Sequence, residues 1–283
     1  MSLSFAAAGN GGWLWEQTPA TALTFTTALA LAAYLFGAGL PTTRQVELRM
    51  CLVIGWIAHA VAIVADIAGI GVPDDGARFG FAPALSVTLW LVLAVYLLES
   101  RFLPLDASRR ALALLGGAAV LLAWLYPGEF RNAGVSRWAP LHWVLGIASY
   151  GLFGTAVLHA TLLNRADRQM RQKRPGVASG TLGLPLLRLE RLTFRFVEAG
   201  FVTLSAAVVL GWWFASPWRW DHKAVFSILG WAVFAALVAG RRAFGWRGPR
   251  ATRWLYVGAL LLLLGYVGSR FVLEVLLQRG APG

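Results

Sequence analysis

Eight long apolar runs, separated by short polar breaks, set the pattern of this chain. They fall at about 20–40, 48–71, 82–99, 109–126, 139–164, 194–216, 224–240 and 252–278. A helix needs roughly 20 apolar residues to cross a bilayer, and each run comes near that length. The pattern therefore predicts an all-α polytopic membrane bundle of about eight helices. Eight crossings would put both termini on the same side. No strand pattern and no internal repeat is expected. Between runs five and six lies the only long connection, 165–193 (NRADRQMRQKRPGVASGTLGLPLLRLERL), with an interfacial helix at its LPLLRLERL end. The expected organisation is an outer segment 1–19, one membrane domain 20–278 and a tail 279–283.

Composition agrees with that pattern. Of the 283 residues, 58% are hydrophobic and 13% charged, against about 25% charged in soluble domains. The net charge of +12 would suggest nucleic acid in a soluble protein. Here most Lys and Arg cluster in the loops 41–47, 100–108, 165–193 and 241–251. By the positive-inside rule those loops are cytoplasmic. Both termini then face outward, to the periplasm of a bacterial inner membrane. The N-terminus (MSLSFAAAGNGGWLWEQ) has no basic region before its apolar part and does not read as a signal peptide. Cys51 is the one cysteine, so neither an intramolecular disulfide nor a CxxC or CxxCH motif is present. No GxSxG, HExxH or phosphate loop occurs, and no enzymatic activity is expected.

Ionisable residues at membrane depth are costly and mark sites by default. His59 is mid-span in run two, with Asp66 two turns along the same face. For His59 two readings stand: a satisfied core histidine, or one facing a cofactor. A His59–Asp66 proton or cation path, hence a transporter, is a third functional reading. Asp66 also reads as a helix-end residue. His142 opens run five, and His159 lies 17 residues on, roughly 25 Å deeper at 1.5 Å per residue. His159 reads as wetted at the cytoplasmic surface. Glu198 is expected to pair with Arg191 or Arg195, and Arg270 with Glu274 at i,i+4.

The densest chemistry is the outward loop 214–224, within PWRWDHKAVFS (Pro217 to Ser227). Interfacial tryptophans form belts in any membrane protein. Two of them beside an acid, a histidine and a lysine suit a flat aromatic anion better. Indoles would stack on it, imidazole would bind its metal, and Arg or Lys would meet its carboxylates.

PWRWDHKAVFSILGW resembles the tryptophan-rich WWD motif of the cytochrome c assembly superfamily, haem-handling membrane proteins of the CcsA and CcmC type. LHWVLGIASYGLFGTAVLHATLL is similar to the family helix that opens with an outward histidine and carries a Ser-Tyr pair, here Ser149-Tyr150. GRRAFGWRGPRATRWLYVGALLLLLGYVGSRFV is similar to its last helix, entered by a GWRG turn (Gly245 to Gly248) and ending in Tyr266-x-Gly268. The likeness spans about 50–276 and is strongest to the YpjD-type inner membrane branch, which GWIAHAVAI also fits. It implies a non-covalent b-type haem held on the outer face. His142 would ligate iron. Trp218 and Trp220, with Trp213 beside them, would form the platform. Arg219, Lys223 and Arg270 would meet propionates, and Asp221 would orient Lys223 or Trp220. The family's second outward histidine has no counterpart, because the corresponding region reads EVLLQRGAPG. His222 is the substitute within the loop. The implied partners are haem, the bilayer and other cytochrome c maturation or membrane proteins, with no nucleic acid. The competing reading is a haem-free scaffold that regulates or supports another membrane protein.

Overall fold

The computed structural model describes residues 18–41, 43–68, 77–101, 108–131, 138–171, 186–214 and 220–276. The helices are α1 (Thr18–Gly39), α2 (Gln45–Ile67), α3 (Phe81–Glu99), α4 (Arg109–Leu125), α5 (Ala139–Arg171), α6 (Leu186–Phe214), α7 (His222–Phe244) and α8 (Gly248–Leu263). The chain of α8 runs on through a π turn, Leu264–Gly268, a short α turn, Ser269–Phe271, and a second π turn, Val272–Leu276. Six of these helical segments are long and apolar enough to cross a membrane. The apolar stretch Leu23–Gly39 of α1 and the 17-residue α4 are shorter.

Sequence reasoning expected no strands. The structure has a small antiparallel ribbon, β1 (Ala77–Phe79) with β2 (Glu129–Arg131), in which Arg78 faces Phe130. Three-residue strands in two loops carry no periodicity to read. The connection after α5 also differs from expectation. α5 continues to Arg171, and LLRLERL from Leu186 onward forms the first turns of a continuous α6 rather than a separate interfacial helix. Charged, helix-favouring residues such as those of RADRQMR extend a membrane helix beyond its apolar part.

Two apolar cores hold the bundle: one is built mainly by α1–α4 and joined by Leu162 and Leu163 of α5 and Leu189 of α6, and the other lies within α5–α8. They meet where α3 packs on α5 and on the π turn. Between membrane helices, close packing and internal hydrogen bonds replace the hydrophobic drive. Trp56 and Trp90 show this on α2 and α3. Their rings stack at 5.0 Å, and each indole N–H donates to the other residue's carbonyl, at 3.2 and 3.1 Å. Phe153 stacks on Phe234 at 3.8 Å in the other half.

The α7–α8 turn explains the GWRG punctuation at the basic end. Gly245 closes α7 in the left-handed region at φ 63, and its N–H reaches the Arg241 carbonyl. A Cβ at Gly240 would lie 2.6 Å from the Trp246 ring. Arg241 ties the turn down, donating to Glu190 at 3.0 Å and to the Trp246 carbonyl.

At the opposite end the ribbon is fastened to both halves. Arg78 of β1 pairs with Asp66 of α2 at 3.4 Å, and Glu129 of β2 pairs with Arg270 at 3.3 Å. Arg270 was expected to pair with Glu274. The Glu274 side chain lies outside the described residues, and the structure gives Arg270 a partner in Glu129, 141 residues away.

Candidate functional site

α5 begins at Ala139, with Pro140 in its first turn, where a missing N–H costs nothing. His142 follows, and its backbone N–H donates to the Trp138 carbonyl at 3.1 Å. Its imidazole reaches across to α6, where Nδ1 lies 2.9 Å from the Ala207 carbonyl oxygen. A carbonyl only accepts, so Nδ1 carries the proton, and in the neutral ring the lone pair sits on Nε2. Metal-binding histidines are oriented in this way. Gly211, one turn past Ala207, makes the approach possible. A Cβ there would stand 2.8 Å from His142 Cε1. Sequence reasoning did not single out Gly211. The signal was present as a glycine just before Trp212-Trp213, but its neighbour across the bundle was not visible.

His142 lines a mostly apolar cavity with Trp143, Tyr150, Lys223 and Tyr266. Its enclosed volume is about 150 Å³. α3 closes one side through Ala84 and Thr88. The Tyr150 hydroxyl donates to the Leu262 carbonyl, which clamps α5 to α8 just before the π turn. Ser149 is fully buried and bonds back to the Gly146 carbonyl at 2.7 Å.

The Trp-rich loop is placed only in part. Trp218 and Arg219 lie outside the described residues. Trp220 is 71% exposed and Trp213 80% exposed; neither lines the cavity, whereas Trp143 does. Asp221 is the N-cap of α7, accepting from the Ala224 N–H at 2.7 Å. Lys223 Nζ lies 5.2 Å from the centre of the Tyr266 ring. His222 is the exposed first residue of α7 and is not among the cavity-lining residues. Arg270 is held by Glu129 rather than lining the cavity.

His59 lies in the other half, 1% exposed. Its Nε2 is 2.7 Å from Ser86 Oγ and its Nδ1 is 3.3 Å from the Tyr34 hydroxyl. Both nitrogens are satisfied, so the core reading accounts for it. A second cavity adjoins it, with Asp66 and Arg78 among its lining. α3 is the wall between the two cavities, with Ser86 and Val87 facing one and Ala84 and Thr88 the other.

Two further expectations are corrected. His159 is fully buried, not wet: its Nε2 meets Glu99 of α3 at 2.8 Å. α5 runs twelve residues past it, so it is well inside the packed helices. Glu198 pairs with Arg242 at 3.6 Å, rather than with Arg191 or Arg195.

Among the described residues no group of three or more His, Cys, Asp or Glu could hold a bare metal ion. A porphyrin carries four of its iron's ligands itself, so one oriented imidazole suffices. The donor set here fits that case: an imidazole with its lone pair on Nε2, rings for stacking, and an ammonium suited to a carboxylate.

The chain is 29% identical over 231 residues to the inner membrane protein YpjD of Escherichia coli K12, covering 79% of this chain and 85% of that one. It is 24% identical over 217 residues to the cytochrome c biogenesis protein CcsA of Parasynechococcus marenigrum, covering 65% and 71%. No solved structure matches significantly. The family described as cytochrome C assembly protein matches residues 48–277, nearly the whole membrane domain, and this chain belongs to it.

Proposed function

We propose that this is a bacterial inner-membrane, multi-pass protein that binds or passes haem at the His142 cavity. In this reading the chain crosses the membrane eight times, with both termini and the cavity mouth outside. It makes and breaks no covalent bond of its own. The observation that carries the reading is the His142 imidazole, clamped at Nδ1 by Ala207 and seated over Gly211 at the edge of an apolar cavity. A satisfied helix-end histidine would not need such an orienting pair.

Haem supplies a redox-active iron that cytochromes require. The residues of this chain would do the holding. His142 would bind iron through Nε2, and Trp143 would stack on the ring, with Trp220 at its exposed edge. Lys223 would meet a propionate or the aromatic wall that it already covers. The exposed indoles Trp212, Trp213 and Trp220 belong to an interface belt, where an amphipathic ligand would arrive and leave. Relatives named for cytochrome c biogenesis support the assignment of cargo.

Expression in a haem-replete host, purification in detergent and pyridine haemochrome assay test this reading. Near-stoichiometric, acid-extractable haem is the expected result. A colourless protein that also fails to take up haemin contradicts it.

A further inference from the structure

Two of the glycines on α5 are explained by packing. A Cβ at Gly151 would come 2.8 Å from Leu91, and one at Gly154 would come 2.8 Å from Val92, both on α3. Small residues let membrane helices approach in this way. Gly146, on the same helix, is different. Beyond its own backbone, a Cβ there would meet nothing within 4 Å, so no neighbouring helix requires the side chain to be absent. Among the described glycines away from helix ends, it is the one with open space in place of a side chain. A glycine in mid-helix is destabilising relative to alanine, and here packing does not account for it.

The open space is the His142 cavity. α5 lines it with His142, Trp143, Gly146, Ile147, Ser149 and Tyr150. At about 100° per residue these positions form one face, and Gly146 lies near its middle. Gly146 is also one turn past His142, a spacing of roughly 5–6 Å between Cβ positions. Side chains lean towards the N-terminus of their helix, so any side chain at 146 would cover the space beside the imidazole. The Ser149 hydroxyl donates to the Gly146 carbonyl at 2.7 Å, which keeps the bare backbone satisfied. On the α3 side the lining is also small, Ala84 and Thr88.

We propose that Gly146 is the specificity-determining residue of the His142 cavity: its missing side chain leaves room, between the α5 backbone and α3, for the edge of a flat ligand. This rests on the haem reading above. In an enclosed space of about 150 Å³, one added side chain decides what can enter.

The test titrates haemin into full-length protein in detergent and records thermal unfolding alongside. Gly146→Leu fills the cavity without a clash at its Cβ. It is expected to fold and to bind haemin roughly ten- to hundredfold more weakly than the wild type, the effect of overfilling a closed space. Val144→Leu changes the opposite face of α5, where the side chain is 62% exposed, and should bind as the wild type does. Should Gly146→Leu lose its unfolding transition, Gly146→Cys in a Cys51→Ser background decides. The new thiol is expected to react with a methanethiosulfonate reagent in the haem-free protein and to be protected by bound haemin, with occupancy read at the Soret band. Haemin affinity unchanged by Gly146→Leu, equal weakening by Val144→Leu, or equal thiol labelling with and without bound haemin overturns the inference and leaves the haem reading standing. A wild type that binds no haemin overturns both.

Discussion

His142 Nδ1 lies 2.9 Å from the carbonyl oxygen of Ala207, over a position on α6 where Gly211 leaves no side chain in the way. This one contact fixes the ring's tautomer and its direction. It joins α5 to α6 at the end of the bundle where the Trp-rich loop returns to α7.

Gly211→Ala is therefore expected to act on ligand binding without touching the ligand. The added methyl would stand 2.8 Å from His142 Cε1 and push the ring off its carbonyl. Loss of such an orienting partner costs about 10–100-fold in metal-site affinity. Haemin titration of wild type and variant, followed at the Soret band, measures it. Equal affinities would mean that the clamp is only packing.

Asp221 invites a test that separates capping from ligand chemistry. Its carboxylate caps α7 by accepting the Ala224 N–H, and removal of a cap costs roughly 1 kcal/mol. Asp221→Ala should lower thermal stability, whereas Asp221→Ser should largely restore it. Serine caps but carries no charge. If serine behaves like alanine in haemin binding, the charge itself matters.

The His159–Glu99 pair, 2.8 Å apart with the histidine fully buried, predicts strong coupling. Removing one partner of a buried pair costs about 3–5 kcal/mol, whereas replacing both with apolar residues costs far less. Glu99→Leu alone should therefore destabilise the protein more than Glu99→Leu with His159→Phe. A thermal-unfolding double-mutant cycle that shows simple additivity would contradict the pairing.

Arg270 and Glu129 fasten the β ribbon to the last helix at 3.3 Å. Arg270→Gln and Glu129→Gln are expected to give equal, non-additive losses of protection against protease in the ribbon. Neither should move the Soret band. A Soret shift with Arg270→Gln alone would return that residue to the ligand site.

What the sequence made legible follows from how local each signal was. The apolar runs located the eight long helices among the described residues, six of them long and apolar enough to cross a membrane, because bilayer length is written into single segments. His142 stood out by its place between Trp138 and Trp143 at the head of a run. Asp221, Lys223 and Trp220 stood out as a polar knot between two apolar runs. The rest depended on partners far along the chain. Glu99 is 60 residues from His159, and Glu129 is 141 residues from Arg270. Nothing local to either residue points to so distant a partner. Gly211 looked like any helical glycine until the His142 ring was placed on it. The π turn at Leu264–Gly268 leaves the apolar pattern intact, so nothing in the composition reveals it.

The central claim is that His142 presents Nε2 to a haem. It is tested most directly by titrating haemin into detergent-purified wild type and His142→Ala side by side and recording the oxidised and reduced spectra. The account predicts a saturable Soret band in the wild type that the substitution abolishes or shifts. An identical band and affinity in both proteins, or no band in either, would contradict it.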